Sequence, residues 1–287
     1  MTGPAPSFGW TSSYGAAPAL NTRPMNMNVQ TTSQPLMTVR GVSKRFEGLA
    51  ALTDVTFDVP KGEVTCVIGP NGSGKTTLFN IISGLLRSDA GEIAYKGARI
   101  ERCKSHEIAK LGIGRTFQSA RLFPALSILE NIELPQFGGS STTIFDVLLG
   151  SAKDRTERRR VRQRAEQLLG DVGGGRLFPR RFDSPETCSL GEQRIIELIR
   201  VLALDPELVI MDEPTQGLNP VWVGEMLEII EEIRARGKTI LFIEHKMNVV
   251  MKISDQVIVL TSGQKIAQGK PEQVRADPKV IQAYLGE

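Results

Sequence analysis

The sequence predicts an α/β fold: a phosphate-loop core with an antiparallel β subdomain and an inserted helical subdomain. Three observations carry this. Gly69-Pro70-Asn71-Gly72-Ser73-Gly74-Lys75-Thr76 fits the pattern G-x-x-x-x-G-K-[ST]. Two short β-type segments precede that loop. A long helical stretch follows it, and only then come further apolar strands, ending in Asp212-Glu213 and in His245.

With 287 residues the chain has room for one large domain or a domain with a subdomain. Its hydrophobic content of 40% and charged content of 23% are those of a globular protein. No apolar run is long enough to span a bilayer, so any link to a membrane is expected to come through a partner. A net charge of +3 is too small to argue for nucleic acid. Cys66, Cys103 and Cys188 are scattered and form no C-x-x-C pair, which argues against a disulfide framework or zinc site and suits a reducing compartment. Residues 1–35 are rich in Pro, Ser, Thr, Asn, Gly and Ala, with Arg23 as their only charge. They read as a disordered extension with no secretory signal; translation starting at Met25, Met27 or Met37 is the other reading.

The structured part is expected over residues 36–287. Leu36-Met37-Thr38-Val39-Arg40 and Val55-Thr56-Phe57-Asp58-Val59 are β segments, and Pro60-Lys61-Gly62 is a turn. They predict an antiparallel sheet beside the nucleotide. Phe46, placed between them, has two readings: an aromatic stacked on an adenine ring, or a partly buried strand-end side chain.

Glu63-Val64-Thr65-Cys66-Val67-Ile68 reads as a buried strand, and Thr77-Leu78-Phe79-Asn80-Ile81-Ile82 as a helix. Strand, glycine loop and helix together place phosphates on a helix N-terminus. Gly69, Gly72 and Gly74 allow the tight path, with Pro70, Asn71, Ser73 and Thr77 completing the cradle. Lys75 supplies a point charge for the β- and γ-phosphates, and Thr76 offers a hydroxyl to Mg²⁺. Gly91-Glu92-Ile93-Ala94-Tyr95 is a further strand, and Ile113-Gly114-Arg115-Thr116-Phe117-Gln118 another, with Gln118 at its end.

From about residue 127 to 203 the pattern is helical. A Gly/Ser/Thr loop interrupts it at Phe137 to Thr143. Lys153 to Arg164 holds six arginines. They read as a nucleic-acid or lipid-headgroup contact, or as a solvated helix face broken up by Glu157 and Glu166. The second is favoured, because no aromatics interleave the arginines.

In Cys188-Ser189-Leu190-Gly191-Glu192-Gln193-Arg194, Ser189 and Glu192 make a capping box ahead of an apolar helix; the same N-terminus is suited to an anion. Leu208-Val209-Ile210-Met211-Asp212-Glu213 is an apolar strand ending in two acids. The first is suited to the Mg²⁺ shell and the second to polarising an attacking water, so the pair points to hydrolysis and not to nucleotide storage. Asn219 and Pro220 open the next helix. Thr239 to His245 is a strand ending in histidine, where doubly wound folds place ligands. His106, the other histidine, reads as a surface residue.

Taken in order, these motifs resemble the ATP-binding-cassette (ABC) ATPases over roughly residues 36–287. More narrowly, Gly114 to Gln118 with Arg121-Leu122-Phe123, Gly217-Leu218-Asn219-Pro220, and the tail of residues 264–287 resemble the ATP-binding subunit of branched-chain amino-acid importers. The resemblance implies two cassettes sandwiching ATP and Mg²⁺. The signature Ser189-Leu190-Gly191-Glu192-Gln193 would face the partner's γ-phosphate through Ser189 and Gly191, with Asn219 in the dimer-interface loop. Catalysis would fall to Glu213 as general base, with Lys75, Gln118 and His245; Thr76, Gln118 and, through water, Asp212 would serve Mg²⁺. It further implies a homologous second ATPase chain, two membrane permeases and, indirectly, an extracytoplasmic solute-binding protein, at the cytoplasmic face of the membrane. The chain departs from the common signature at Cys188, Leu190 and Glu192, has Asn219 where many relatives have Asp, and carries Thr215-Gln216 where a small-residue pair is expected.

Other readings are urea or amide import, lipid export, a soluble cassette acting on nucleic acid or ribosomes, and a scaffold that binds ATP without cleaving it. One phosphate loop and no heptad run argue against the soluble cassette; Glu213 and His245 argue against the scaffold.

Overall fold

The computed structural model describes residues 34–116, 122–139 and 152–285. The expected extension over residues 1–35 falls, up to residue 33, outside these, as do Gln118, Arg121 and the last two residues of the tail.

Two sheets form the frame. The first has the order β2-β1-β4-β5, built from β1 (Met37–Phe46), β2 (Leu49–Val59), β4 (Ala90–Tyr95) and β5 (Ala98–Arg99). All its pairings are antiparallel. The second has the order β10-β9-β3-β8-β7-β6, from β3 (Val64–Ile68), β6 (Ile113–Arg115), β7 (Leu208–Asp212), β8 (Thr239–Ile243), β9 (Gln256–Thr261) and β10 (Gln264–Gly269). It is parallel except for β10 on β9.

The expected antiparallel sheet is therefore present, with longer strands than the apolar segments suggested. Residues 41–46, expected between strands, belong to β1. Arg45 and Phe46 pair with Ala50 and Leu49 across a tight hairpin. Half-buried Ser43 and Lys44 and exposed Arg45 hide this half of the strand from a hydrophobicity reading, because Val42 is its one buried apolar residue.

The central strands β3, β7 and β8 are buried on both faces, as parallel strands between two layers must be. Their alternate residues feed different cores. Val64, Cys66, Ile68, Val209, Met211, Ile240 and Phe242 join the helical side. Val67, Leu208, Ile210, Leu241 and Ile243 join the side covered by β1, β2, β4 and α1 (Lys75–Ile82).

The helical subdomain comprises α3 (Ile128–Glu133), α4 (Ala152–Asp171) and α5 (Leu190–Leu202), after the short α2 (Ser105–Lys110). Along the basic α4, Arg158, Arg160, Arg162 and Arg164 pair with Asp154, Glu157, Glu166 and Asp205. That is the pattern of a solvated face, with Val161, Ala165, Leu168 and Leu169 on the buried side. After β7 come α6 (Pro220–Ala235) and α7 (Met247–Ile253); α8 (Pro271–Ala276) and α9 (Pro278–Leu285) form the tail.

No described helix is long and apolar enough to cross a membrane.

Candidate active site

Gly69 to Thr76 connects β3 to α1, as expected. Gly74 is the N-cap of α1 at φ 98°, a conformation that disfavours other residues. Space excludes them as well, since a Cβ there would lie 2.5 Å from the Ala51 carbonyl oxygen. Lys75 turns back over the loop. Its Nζ donates to the carbonyls of Gly69 (2.7 Å) and Pro70 (2.8 Å) and lies 3.4 Å from Ser73 Oγ. A buried ammonium held by carbonyls is positioned before any phosphate arrives.

A cleft of about 520 Å³ lies over this loop. Asn71 to Thr77 line it, with Leu49, Ala50, Ala51, Glu213 and Ser262. Phe46 is not among the lining residues. It is 44% exposed at the end of β1, with Lys44 Nζ 5.5 Å from its ring centre. The apolar wall is instead the start of β2, where Leu49 is 73% exposed. A large exposed aliphatic in a hairpin is the signal that would have found it, but only with the hairpin known.

The strand β7 ends at Asp212, and Glu213 follows at φ +51°, a left-handed conformation that a non-glycine residue rarely adopts. Its amide donates to the Ile243 carbonyl of β8, which holds it there. This twist aims Glu213 into the cleft while Asp212 stays buried. Strand periodicity alone cannot show it. Glu213 Oε1 lies 3.6 Å from His245 Nδ1, and Glu213 Oε2 is buried with no hydrogen-bond partner among the described residues. Such an orphaned carboxylate oxygen beside a phosphate cradle is an acceptor without its donor, as a water would be.

Asp212 faces Arg115 at 3.2 Å. Arg115 also donates to the Phe79 carbonyl and to Ser83 Oγ, tying β6 and α1 to β7. Burial pushes the Asp212 carboxyl up and the Arg115 guanidinium down, each partly opposed by the other's charge. Thr76 and Glu213 line the cleft with hard oxygen donors, Asp212 precedes Glu213 without lining it, and no cluster of three His, Cys, Asp or Glu ligands occurs among the described residues. Such a donor set suits a divalent cation that arrives with phosphates and keeps several waters.

Ser189 to Gln193 lie at the N-terminus of α5, on the helical subdomain. Ser189 Oγ accepts from the Glu192 amide and lies 2.9 Å from Glu192 Oε2, closing the expected capping box. Glu192 in turn pairs with Arg180 at 2.9 Å. These contacts and the backbone amide hold the Glu192 carboxyl below the usual range despite partial burial. Leu190 is exposed.

Gly191 abuts α6, where a Cβ would come within 2.2 Å of the Trp222 ring. Asn219, capping α6 by accepting from the Trp222 amide at 3.0 Å, fixes that ring's helix in place. Gly191→Ala is accordingly expected to cost about 1–3 kcal/mol through overpacking, seen in calorimetry as a Tm lowered by several degrees. An unchanged Tm would show that the ring moves aside freely.

The signature is not part of the phosphate cleft of its own chain: none of its residues lines it. The tail does approach the loop. Gln282 and Ala283 of α9 line a recess of about 340 Å³ together with Pro70 to Ser73.

Comparisons with known proteins bear on the family and the fold. The family described as "ABC transporter" matches residues 52–216, and "Branched-chain amino acid ATP-binding cassette transporter" matches residues 264–287. The high-affinity branched-chain amino acid transport ATP-binding protein LivG of Escherichia coli (strain K12) is 38% identical over 256 residues, covering 89% of this chain and 99% of that protein. The ADP conformation of the ATP-binding cassette MJ1267 superposes with a TM-score of 0.77 at 30% identity, over 89% of this chain and 100% of that one. A dimeric post-hydrolysis state of the cassette MJ0796, bound to ADP and phosphate, gives a TM-score of 0.68 at 26% identity, over 82% of this chain and 98% of that one. The chain belongs to the ABC transporter family, as one of its nucleotide-binding ATPase cassettes.

Proposed function

We propose that the chain is the ATP-hydrolysing subunit of an importer for branched-chain or related amino acids. The observation that carries hydrolysis is Glu213, turned into the phosphate cleft with an unpartnered oxygen and next to His245. ATP is bound with its phosphates on the amides of Gly72 to Thr76 and on Lys75. The adenosine end lies along Leu49 to Ala51, with Phe46 available only at the hairpin's outer edge. Glu213 takes a proton from the attacking water as its oxygen bonds to the γ-phosphorus. The bond to the β,γ-bridging oxygen breaks, leaving ADP and phosphate. His245 steadies the γ-phosphate. Thr76, Gln118 and, through water, Asp212 would hold Mg²⁺, which would neutralise phosphate charge.

The signature lies away from its own cleft, which supports completion of each site by a second cassette. Ser189 and Gly191 then reach the partner's nucleotide and Asn219 lies at the junction. ATP would join the two surfaces and its cleavage would loosen them. Membrane permeases, reached from the cytoplasmic face, would convert that cycle into transport, with a receptor supplying the solute. The amino-acid assignment rests on the LivG likeness and on the matching tail.

Purifying the chain with its membrane partners and measuring which receptor-bound amino acid stimulates ATP hydrolysis tests the proposal. Copurification with two permeases and stimulation by leucine, isoleucine or valine is the expected result. Stimulation by urea would keep the importer and overturn the amino-acid assignment; copurification with a lipid exporter would keep the ATPase and overturn the importer.

A further inference from the structure

Glu244 sits between β8 and α7, immediately before His245, and is fully buried. A buried carboxylate at the end of a central strand must have several donors to be tolerated. It has three. Thr215 Oγ1 donates to Oε2 at 2.6 Å, and the amides of His245 and Lys246 donate to Oε1 at 3.0 and 3.2 Å. Thr215 is also fully buried, and it lies two residues after Glu213. From the other direction, Lys246 Nζ donates to the Thr215 carbonyl at 2.9 Å. The Gln216 amide closes a turn on the Glu213 carbonyl at 3.1 Å, so Thr215 is held within the turn that carries Glu213.

Two loops are thereby pinned together: one carries Glu213, the other His245. Neither Thr215 nor Glu244 lines the nucleotide cleft. Backbone pairing also joins the loops, through the Glu213 amide and the Ile243 carbonyl, two residues before His245. The Glu244 carboxylate joins the His245 amide to the Thr215 hydroxyl, and Lys246 Nζ adds a second side-chain link through the Thr215 carbonyl.

We propose that Thr215 and Glu244 are positioning residues for hydrolysis, their buried hydrogen bond setting the spacing between Glu213 and His245. The inference rests on the ATPase reading. Thr215→Val removes the donor at nearly constant volume and leaves one buried carboxylate oxygen short of a partner. Thr215→Ser keeps the hydroxyl and loses only a methyl. Glu244→Gln keeps the acceptor for both amides and offers an N–H toward the Thr215 hydroxyl.

The test uses the full chain. Thr215→Val is expected to lower kcat for ATP by at least about fivefold, with KM and the affinity for a fluorescent ATP analogue changed less than about twofold. Thr215→Ser is expected to restore kcat to within about twofold of the parent. The sequence contains only two histidines, His106 and His245, so histidine-labelled protein gives two ring signals by NMR. Thr215→Val should move the His245 signal and leave that of His106 in place; Glu244→Gln should move it less. A Thr215→Val protein with kcat unchanged and His245 unmoved overturns the latch. So does Thr215→Ser as damaging as Thr215→Val, since that would make shape, not the hydroxyl, the relevant property. Should the parent chain bind ATP and never cleave it, the ATPase reading fails by itself. The His245 signal then still decides whether Thr215 and Glu244 hold that loop.

Discussion

Glu213→Gln is expected to lower ATP hydrolysis by about 10²–10⁴-fold, the range for losing a positioned general base. The substitution is nearly isosteric, so it leaves the left-handed turn at φ +51° and the amide contact to Ile243 in place. What it removes is the negative charge and the proton-accepting oxygen at Oε2, the atom that lacks a partner. ATP binding should persist, because the phosphate contacts come from the loop amides and Lys75. The pairing of lost turnover with retained binding is the diagnostic result. Turnover measured by phosphate release and binding by ATP-dependent thermal stabilisation check both. Unchanged turnover would remove Glu213 from the role of base and leave His245 to be tested in its place.

Lys75→Ala is expected to fail earlier, at binding. Its ammonium holds the Gly69 and Pro70 carbonyls, and it is the one charge of the loop. A hydrogen bond to a charged partner is worth about 1.5–3 kcal/mol, so one such contact to phosphate corresponds to roughly 10–150-fold in affinity. ATP at a hundred times Kd should stabilise the parent protein by about 2.7 kcal/mol. The variant at the same ATP concentration, now at roughly 0.7 to 10 times its own Kd, should show only about 0.3–1.4 kcal/mol. A full thermal shift in Lys75→Ala would mean that the amides alone bind the nucleotide. A lowered Tm without ATP would report the second role of Lys75, in closing the loop on itself.

The two variants separate what the sequence states directly from what it states only in context. The phosphate loop was legible because its chemistry is local. Two glycines, a lysine and a threonine at set spacing act through consecutive backbone amides, so no distant residue is needed to recognise them. The same holds for the capping boxes at Ser189 and the Asn219 cap, which satisfy amides three residues on. The buried strands β3, β7 and β8 were legible from their apolar runs. The outer half of β1 was not, because a strand with polar residues on its exposed turn carries no periodic signal.

Within the site, the sequence supplied the identities and the fold supplied the relations. Sequence alone determined that the chain binds a nucleotide on a strand–loop–helix, that two acids end one strand, and that a histidine follows another. Those are facts about residues near one another in the chain. The tertiary structure decided that Leu49 lines the cleft and Phe46 does not, although the two are partners across the β1–β2 hairpin. It decided that Arg115 meets Asp212 and that Gln282 of the tail comes to the loop. It also explained Thr215, which departs from the small residue expected there: its hydroxyl meets Glu244, 29 positions away. A buried polar group is tolerated only beside its partner, and when that partner lies just past the next strand of a parallel sheet, the pairing exists only once the sheet has formed.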